Sequence, residues 1–187
     1  PGSGVWDPDF AGSEVLAETV EGLLETTNVV LQASGSIFGM APVETTAGSA
    51  NNLTLTAGQD IILEEVIDLQ QGDLSLLAQG SIQGPSAFPG FPGVGGNPIT
   101  ANRISIGASG GAGLASVDLE SVALSAQAVD LDFGTAISGD VNLGNAANTI
   151  GEVNLLNAGS GGFSGALTLV NDGDGLTVNG SLAGTDL

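Results

Sequence analysis

The sequence predicts an all-β fold, a right-handed parallel β-helix in which coils stack along one axis. Two patterns predict it. Within short segments apolar residues alternate with polar residues, and this period of two is typical of half-buried strands. Similar segments recur at intervals of about 20 residues, which is typical of a solenoid. The 187 residues are then expected to form a single β-helical domain, 1–187, of about eight coils, as a piece of a longer chain.

One segment near the N terminus is predicted to be helical. Residues 13–28 (SEVLAETVEGLLETTN) carry apolar side chains at helical spacing. These are Val15, Leu16, Val20, Leu23 and Leu24. Ser13 is a suitable N-cap residue. We expect a short amphipathic helix that packs beside the first coils, over an open end of the stack.

The first coils follow a repeated formula. Two apolar residues flank one residue of any type, a short polar turn with glycine follows, and an inward isoleucine ends the copy. The three copies are VVLQASGSI (29–37), LTLTAGQDI (53–61) and LSLLAQGSI (74–82). Their starts lie 24 and 21 residues apart, so each copy is expected to stack on the one before it.

A segment rich in proline and glycine interrupts the repeat at 84–98 (GPSAFPGFPGVGGNP). Proline lacks the backbone N–H that a strand ladder needs, so the segment is predicted to be a loop inserted into the stack. Loops on rigid scaffolds often carry binding residues. Phe88 and Phe91 are therefore candidate ligand-binding residues, able to stack on a sugar ring or a partner surface. The alternative is that the two phenylalanine side chains fold back and cover the flank of the β-helix.

The formula returns after this loop. The first three copies start 18 and then 19 residues apart: ISIGASG (104–110), VALSAQAVDLDF (122–133) and VNL (141–143). Three further segments complete the predicted strands: VNLLNAG (153–159), LTLVNDG (167–173) and LTVNGSL (176–182). A β-sandwich would also have many short strands, but its hairpins would leave recurrent Asn-Gly turns, and none recur here.

Composition removes several classes of chemistry. The chain has 21 acidic residues against one basic residue, Arg103, and it has no lysine, histidine or cysteine. Zinc sites built on His or Cys, and Ser-His or Cys-His nucleophile pairs, are therefore excluded. With a net charge of −20, nucleic acid and anionic membrane surfaces are poor partners. No apolar run approaches the roughly 18 residues of a membrane span, so no membrane insertion is expected.

The acidic loop NDGDG (171–175) is a candidate calcium site. Asn171, Asp172 and Asp174 offer closely spaced oxygen ligands, which is the chemistry that calcium prefers. The spacing departs from the EF-hand, because no glutamate stands twelve positions from the first ligand, and it does not match the calcium-binding nonapeptide array. The alternative is a solvated corner between two strands. We predict the corner, with calcium as the one cofactor to test.

Asp130 and Asp132 are two residues apart in a predicted strand, so they share its outer face while Leu131 and Phe133 point inward. Paired carboxylates on one face also serve glycosidases. β-Helix hydrolases and lyases add histidine, lysine or several arginines to such acids, and these are missing here. We therefore predict a solvated face and no enzymatic activity. Arg103 is expected to pair with one of the many carboxylates.

Four segments, which together contain 80 of the 187 residues, carry a family resemblance: 18–37, 52–63 (NLTLTAGQDIIL), 72–82 (GDLSLLAQGSI) and 148–184. They resemble the shaft of filamentous haemagglutinin-like adhesins, large exoproteins exported by two-partner secretion. The Asn-Pro-Asn-Gly-type motifs of that family's secretion domain are missing, since Asn97-Pro98 continues as Ile99-Thr100. The resemblance therefore implies shaft rather than export signal.

The resemblance implies secretion from a Gram-negative bacterium and a role in adhesion at the cell surface. The expected partners are a glycan or protein on a host or neighbouring cell, and adjacent coils of the parent chain. A shaft without binding activity is the rival within this class. Two rivals come from other classes. A β-helix carbohydrate-active enzyme is disfavoured by the missing basic residues, and an ice-binding solenoid needs stacked Thr-x-Thr rows, of which the chain has one copy at Thr54-Leu55-Thr56.

Overall fold

The structure, a computed structural model, describes residues 5–6, 14–85, 98–110, 113–133, 137, 139–157, 163, 165–172 and 175–180. Within these ranges it contains one helix and sixteen strands. In chain order they are β1 (Val5–Trp6), α1 (Ala17–Leu24), β2 (Val29–Ala33), β3 (Ile37–Gly39), β4 (Val43–Glu44), β5 (Leu53–Ala57), β6 (Ile61–Leu63), β7 (Ile67–Asp68), β8 (Leu74–Ala78), β9 (Ser81–Gln83), β10 (Ile99–Ala108), β11 (Ser116–Asp118), β12 (Leu124–Asp132), β13 (Val141–Leu143), β14 (Thr149–Leu156), β15 (Leu167–Leu169) and β16 (Thr177–Asn179).

The strands form two sheets, and every strand pair in the described residues is parallel. The smaller sheet has the order β3-β6-β9-β11-β13-β15, and the larger sheet runs from β1 to β16. Parallel neighbours need a crossover, so each step along a sheet is one coil. The result is a parallel β-solenoid of about five turns. The predicted class of fold is confirmed, whereas the predicted number of about eight coils is not.

Each coil has three faces. The first face contains β2, β5 and β8, and the second face is the smaller sheet. The third face contains β4 and β7. The long strand β10 belongs to two of them, because Ile99 pairs with Ile67 on the third face and Ile104 pairs with Leu74 on the first. Strands β10, β12 and β14 thus run without a loop from the third face of one coil to the first face of the next.

The register of the first coils agrees with the sequence repeat. Val29 pairs with Leu53, and Leu53 pairs with Leu74. These intervals are the 24 and 21 residues that separate the repeated segments in the sequence. The prediction that these copies stack on one another is confirmed.

The register of the later coils corrects the predicted spacing. Ile104 pairs with Val129, and Val129 pairs with Val153, at intervals of 25 and 24 residues. The spacing of 18 and 19 residues is therefore wrong as a coil period. The three segments that gave this spacing lie on different faces of the coils. Ile104 lies on the first face, Leu124 begins the part of β12 on the third face, and Val141 lies on the second face.

The core of the solenoid follows from the alternation along each strand. In β5, for example, Leu53, Leu55 and Ala57 are buried while Thr54 and Thr56 are half-buried on the outer side. The buried apolar side chains of successive coils join in one hydrophobic cluster that extends along the stack. Burying one such large side chain contributes about 1.5–3 kcal/mol, so the stability of the fold resides mainly in this inner column.

Helix α1 is shorter than predicted. It covers Ala17–Leu24, and its N-cap is Leu16, whose side chain makes no capping hydrogen bond. The expectation of an N-cap at Ser13 is therefore wrong. Val20 and Leu24 are buried, and the helix packs beside the first coil as an amphipathic helix should. In the described part of the chain, no helix is both long and apolar enough to cross a membrane.

Helix α1 also closes the third face at the N-terminal end of the stack. Glu21 Oε1 accepts a hydrogen bond from the backbone N–H of Glu44 at 2.9 Å. Glu25 accepts hydrogen bonds from the backbone N–H and the hydroxyl of Thr46, at 2.8 and 2.6 Å. An edge strand exposes unpaired backbone groups that attract other strands. The two carboxylates occupy these donors and so act as an end cap.

The two ends of the predicted loop 84–98 are described, at residues 84–85 and 98, and residues 86–97 lie outside the described residues. The backbone N–H of Gly84 donates to the oxygen of Asp118 at 2.8 Å, and the oxygen of Pro98 accepts from the N–H of Ile67 at 3.2 Å. Both ends are therefore tied to neighbouring coils. The segment connects β9 on the second face to β10 on the third face.

Candidate functional site

The corner between the third and the first face changes width along the stack. From the first coil to the second it contains residues 46–52, and from the second to the third it contains 70–73. In the next three coils it contains only two residues each, at 102–103, 127–128 and 151–152. The wide turn at 70–73 projects beyond the narrow corners. A groove, called here the corner groove, begins at this step and follows the narrow corners.

The wide and the narrow corners differ in their backbone. At Gly151 an added Cβ would lie 2.7 Å from the backbone oxygen of Gln127, so the corner at 151–152 requires glycine, whereas the corners at 102–103 and 127–128 are equally narrow without it. On the wide turn, Gln70 has a φ of 55°, which costs a residue with a side chain about 1–3 kcal/mol. Its N–H and Nε2 donate to the carboxylate of Asp68 at 3.1 and 2.9 Å. These hydrogen bonds hold the turn that forms the wall of the groove.

The floor of the corner groove is a ladder of uncharged polar side chains. Thr100 pairs in register with Ser125, and Ser125 pairs with Thr149, so three hydroxyl groups stand in a row on the outer side of the third face. Stacked strands are about 4.8 Å apart, which sets the spacing of the row. Asn102 and Gln127 form a second row beside it, at the corner itself.

The corner groove consists of two adjoining cavities of about 450 and 390 Å³ that share Asn102, Gln127 and Gly151. The residues that line the larger cavity are Gln70, Gln71, Thr100, Ala101, Asn102, Ser125, Ala126, Gln127, Thr149 and Gly151. None of them is charged, although the chain has 21 acidic residues. The larger cavity is thus an uncharged polar patch on a strongly acidic protein.

Much of the hydrogen-bonding capacity of this groove is unused within the protein. Among the described residues, no side-chain hydrogen bond engages Gln71, Thr100, Ser125, Gln127 or Thr149. A hydroxyl group both donates and accepts, and a glutamine amide offers two donors and an acceptor. The groove therefore presents donors and acceptors side by side over three coils.

A charged cluster closes the far end of the smaller cavity. Arg103 Nη1 donates to both carboxylate oxygens of Asp130, each at 2.6 Å, and Nη2 lies 3.9 Å from Glu152 Oε1. Asn154 Nδ2 donates to Asp130 Oδ1 at 2.8 Å and to Glu152 Oε1 at 3.2 Å. Side chains from β10, β12 and β14 thus hold one another in place.

The pKa of Arg103 is raised above its ordinary value, chiefly by the hydrogen bond to Asp130 and further by the charges of Glu152 and Asp73. Arg103 is therefore a fixed cation whose charge is directed at these carboxylates. The side chain of Arg103 is 40% exposed and that of Asp130 is 13% exposed. The expectation that Arg103 pairs with a carboxylate is confirmed.

The two acids predicted to face solvent have different environments. Asp130 and Asp132 both lie on the outer side of β12, with Leu131 and Phe133 buried, as the alternation predicts. Asp132 Oδ1 accepts a hydrogen bond from Asn157 Nδ2 at 2.9 Å. Asp130 is largely shielded and paired with the guanidinium, so the expectation of a solvated carboxylate is wrong for this residue.

Two of the three predicted calcium ligands are described. Asn171 Oδ1 accepts from the N–H of Ile150 at 2.8 Å, and its Nδ2 donates to the Ile150 oxygen at 3.2 Å. The N–H of Asp172 donates to the oxygen of Asn148 at 2.8 Å. Asp174 lies outside the described residues. Within them, no group of three His, Cys, Asp or Glu residues is arranged to hold a metal ion, and the calcium site stays a prediction.

The two predicted ligand-binding phenylalanines, Phe88 and Phe91, lie outside the described residues. Their role stays a prediction. The corner groove, in contrast, was missed from the sequence. A signal for it exists, because Thr100, Ser125 and Thr149 are 25 and 24 residues apart, which is the coil interval of this half of the chain. The signal is usable only once that interval is known.

A third cavity, of about 460 Å³, lies between α1 and the first coil. Apolar side chains dominate its lining, and Phe38 and Met40 at its rim are 59% and 67% exposed. It opens at the end of the stack, where β3 has one neighbour among the described strands. We interpret it as the end of the hydrophobic column rather than as a site with converging polar groups.

Comparison of the chain with protein-family models, with curated proteins and with solved structures gave no match. The fold therefore rests on the structure alone. The resemblance to filamentous haemagglutinin-like adhesins rests on the sequence segments and stays a prediction.

Proposed function

We propose that this chain is a shaft segment of a secreted, filamentous haemagglutinin-like adhesin that acts at the surface of a bacterial cell. The observation that carries the proposal is the parallel stack that the described strands form around a single hydrophobic column. In a solenoid each repeat contacts only its neighbours. Length can then grow by added coils without a change in cross-section, which suits a protein that spans distance.

One end of the stack is capped by side chains, and the other end supports a place within a longer rod. At one end Glu21 and Glu25 cap the third face. At the other end, β15 and β16 each pair with one neighbour among the described strands. Unpaired edges attract further strands. We propose adjacent coils of a parent chain as the partner at this end, with the right-handed sense that the sequence predicts.

The segment is also proposed to bind a partner on a host or neighbouring cell, a glycan or a protein. Two features support this part. One is the segment 84–98, which carries Phe88 and Phe91 in its sequence and whose two described ends are hydrogen-bonded to neighbouring coils. The other is the corner groove. Loops and grooves on a rigid scaffold present binding groups at low entropic cost.

A carbohydrate-active enzyme is the rival that we disfavour. Glycoside hydrolysis needs a pair of carboxyl groups that flank one bond. Among the residues that line the two cavities of the corner groove, Glu152 is the one carboxylate. Asp130, beside it, is held by Arg103 and Asn154. A binding surface fits these groups better than an active site.

The adhesin proposal is tested with beads coated with the 187-residue chain and mixed with bacterial and animal cells, once with calcium and once with a chelator. Beads coated with an unrelated protein of similar negative charge are the control. We expect attachment above the control to at least one cell type. Loss of attachment in chelator would assign a role to Asn171, Asp172 and Asp174. Attachment no better than the control in both buffers would contradict adhesion and leave a shaft that only spans distance.

A further inference from the structure

We propose that the corner groove binds an uncharged glycan, which lies along the axis of the stack and contacts three successive coils. The inference rests on the proposed function and deepens it, because it names the surface and the chemical class of the ligand. The floor of the corner groove is the row Thr100, Ser125 and Thr149 together with Gln127. Its wall is the wide turn that contains Gln71.

Hydrogen-bonding chemistry selects a polyhydroxylated ligand. The floor offers hydroxyls and amides, which donate and accept with equal ease. A sugar ring presents hydroxyls with the same double capacity on its rim, so each ring can exchange hydrogen bonds with one coil. Five of these side chains have no hydrogen-bond partner among the described residues, and they are spread over successive coils. An extended chain of sugars therefore uses more of them than a single sugar does.

Charge selects an uncharged ligand. The larger cavity has no charged lining residue, and the single cation at the far end, Arg103, is already paired with Asp130. Glu152 also lines the smaller cavity. On a chain with a net charge of −20, a uronate or sulfate group would meet repulsion without a free cation to offset it.

Two other classes of ligand fit less well. An extended peptide gains most of its affinity by pairing with a free strand edge. Among the described strands, β10 is paired with β7, β8 and β12, and β12 is also paired with β14. At the outer edge of β14, the side chain of Asn171 occupies the backbone N–H and oxygen of Ile150. Nucleic acid needs several basic side chains at the phosphates, and the chain has one.

Rigidity makes weak individual contacts useful. The strands of the groove floor are held on both sides. Thr100 and Ser125 lie on strands that pair with a strand on each side. Thr149 pairs with Ser125 on one side, and beside it Asn171 hydrogen-bonds to both backbone groups of Ile150. The donors and acceptors are therefore pre-organised, and less entropy is lost on binding than for a mobile loop. The hydrogen bonds between the paired strands also fix the distance between coils. The groove is therefore expected to favour ligands whose repeat distance matches the distance between coils.

The test is a direct binding measurement with defined oligosaccharides and a pair of matched variants. The neutral probes are hexasaccharides of glucose, mannose, galactose and N-acetylglucosamine, and the anionic probes are hexagalacturonate and a heparin hexasaccharide. Ser125→Trp places a bulky ring in the middle of the groove. Thr168→Trp places the same ring on an outward position of the second face, as the control. Gln127→Ala removes one amide without filling the groove.

We expect the unaltered chain to bind at least one neutral probe more tightly than either anionic probe. Ser125→Trp is expected to weaken this binding at least tenfold and Gln127→Ala about threefold to tenfold, while Thr168→Trp leaves it unchanged. Far-ultraviolet circular dichroism checks that all variants keep their β structure, and Gln127→Ala gives a second reading if Ser125→Trp does not fold. Preference for the anionic probes, no binding to any neutral probe, or equal binding by the groove variants and the control would overturn the proposal.

The outcome is distinguishable from failure of the adhesin proposal. If coated beads attach to cells but the chain binds no neutral hexasaccharide in solution, the groove assignment falls and the adhesin proposal stands. If the groove binds a neutral hexasaccharide in solution but beads do not attach to any cell, the groove assignment stands and adhesion falls.

Discussion

Arg103 and Asp130 lie on neighbouring strands of the larger sheet, and Arg103 Nη1 is 2.6 Å from each oxygen of the Asp130 carboxylate. Asp130 is 13% exposed, so its charge is largely removed from water. Arg103 is the one basic residue of the chain. The fold thus places Arg103 beside a shielded carboxylate whose negative charge would otherwise lower the stability of the folded state. Asn154 donates a further hydrogen bond to the same carboxylate.

We expect Arg103→Gln to lower the free energy of unfolding by about 1–2 kcal/mol, because Asp130 then keeps its charge without a cation. Urea unfolding measures the change. The double variant Arg103→Gln with Asp130→Asn should lose less than the sum of the two single variants, since no charge is left unpaired. Gln59→Glu, at an exposed turn, makes the same change in net charge and is the control. Equal losses for Arg103→Gln and Gln59→Glu would contradict the role of the ion pair.

The difference between the two halves of the chain explains what the sequence could predict. In the first coils each face is a separate short strand with a glycine turn, so copies such as 53–61 and 74–82 can be aligned directly, and the structure pairs them in register. In the later coils two faces merge in one strand, because the corner is only two residues long. Asn102 and Arg103, both facing outward, are a small break in an otherwise regular alternation.

The candidate groove could not be predicted for the same reason. Its members are ordinary threonine, serine and glutamine residues, and nothing in their local sequence marks them as a site. They become a site because a wide turn at 70–73 is followed by narrow corners. That step depends on the register between coils and on the left-handed conformation of Gln70, and neither can be read from alternation alone.

The side chain of Asn148 joins the second and third faces through hydrogen bonds to the backbone. It is fully buried; its Oδ1 accepts from the N–H of Leu124 at 2.8 Å, and its Nδ2 donates to the oxygens of Leu143 and Val170 at 2.8 and 2.9 Å. Each backbone group left unsatisfied costs about 1–3 kcal/mol. Asn148→Ala should therefore lower the free energy of unfolding by about 3 kcal/mol or more.

Two companion variants make the Asn148 prediction specific. Asn148→Asp keeps an acceptor for Leu124 but loses both donors, so its loss should also be large. Asn179→Ala removes an exposed asparagine whose Nδ2 donates to Asn154 Oδ1 at 2.8 Å, and a change within about 0.5 kcal/mol is expected there. If urea unfolding gave similar losses for Asn148→Ala and Asn179→Ala, the buried hydrogen bonds would not be the stabilising element that the structure indicates.

The end cap is expected to be sensitive to acid. Hydrogen bonds from the hydroxyl and N–H of Thr46 lower the pKa of Glu25 below its ordinary value of 4.5. A carboxylate with a lowered pKa in the folded state contributes stability above the ordinary pKa and loses it as the pH falls through the folded value. Amide exchange at Thr46 should therefore quicken when the pH drops below about 4.5, after correction for the intrinsic exchange rate.

Glu25→Gln isolates this effect from the other acids. The variant removes the titrating group but keeps a side-chain acceptor for Thr46, so the acid-dependent part of the exchange at Thr46 should disappear. Glu18→Gln, on an exposed part of the same helix, is the control and should behave as the unaltered chain. Acid sensitivity at Thr46 that survives in Glu25→Gln would show that another carboxylate controls the cap.

Two glycines should respond to alanine with opposite signs. Gly22 lies in α1 and an added Cβ meets nothing within 4 Å, so Gly22→Ala should raise the free energy of unfolding by about 0.5–1 kcal/mol through helix propensity. At Gly58 an added Cβ would meet the backbone oxygen of Ser34 in the preceding coil. The backbone there is held by the hydrogen bond from Gly58 N–H to the Ala33 oxygen at 2.8 Å, so Gly58→Ala should cost about 1–3 kcal/mol. Changes of the same sign in urea unfolding would contradict the close approach of these two coils.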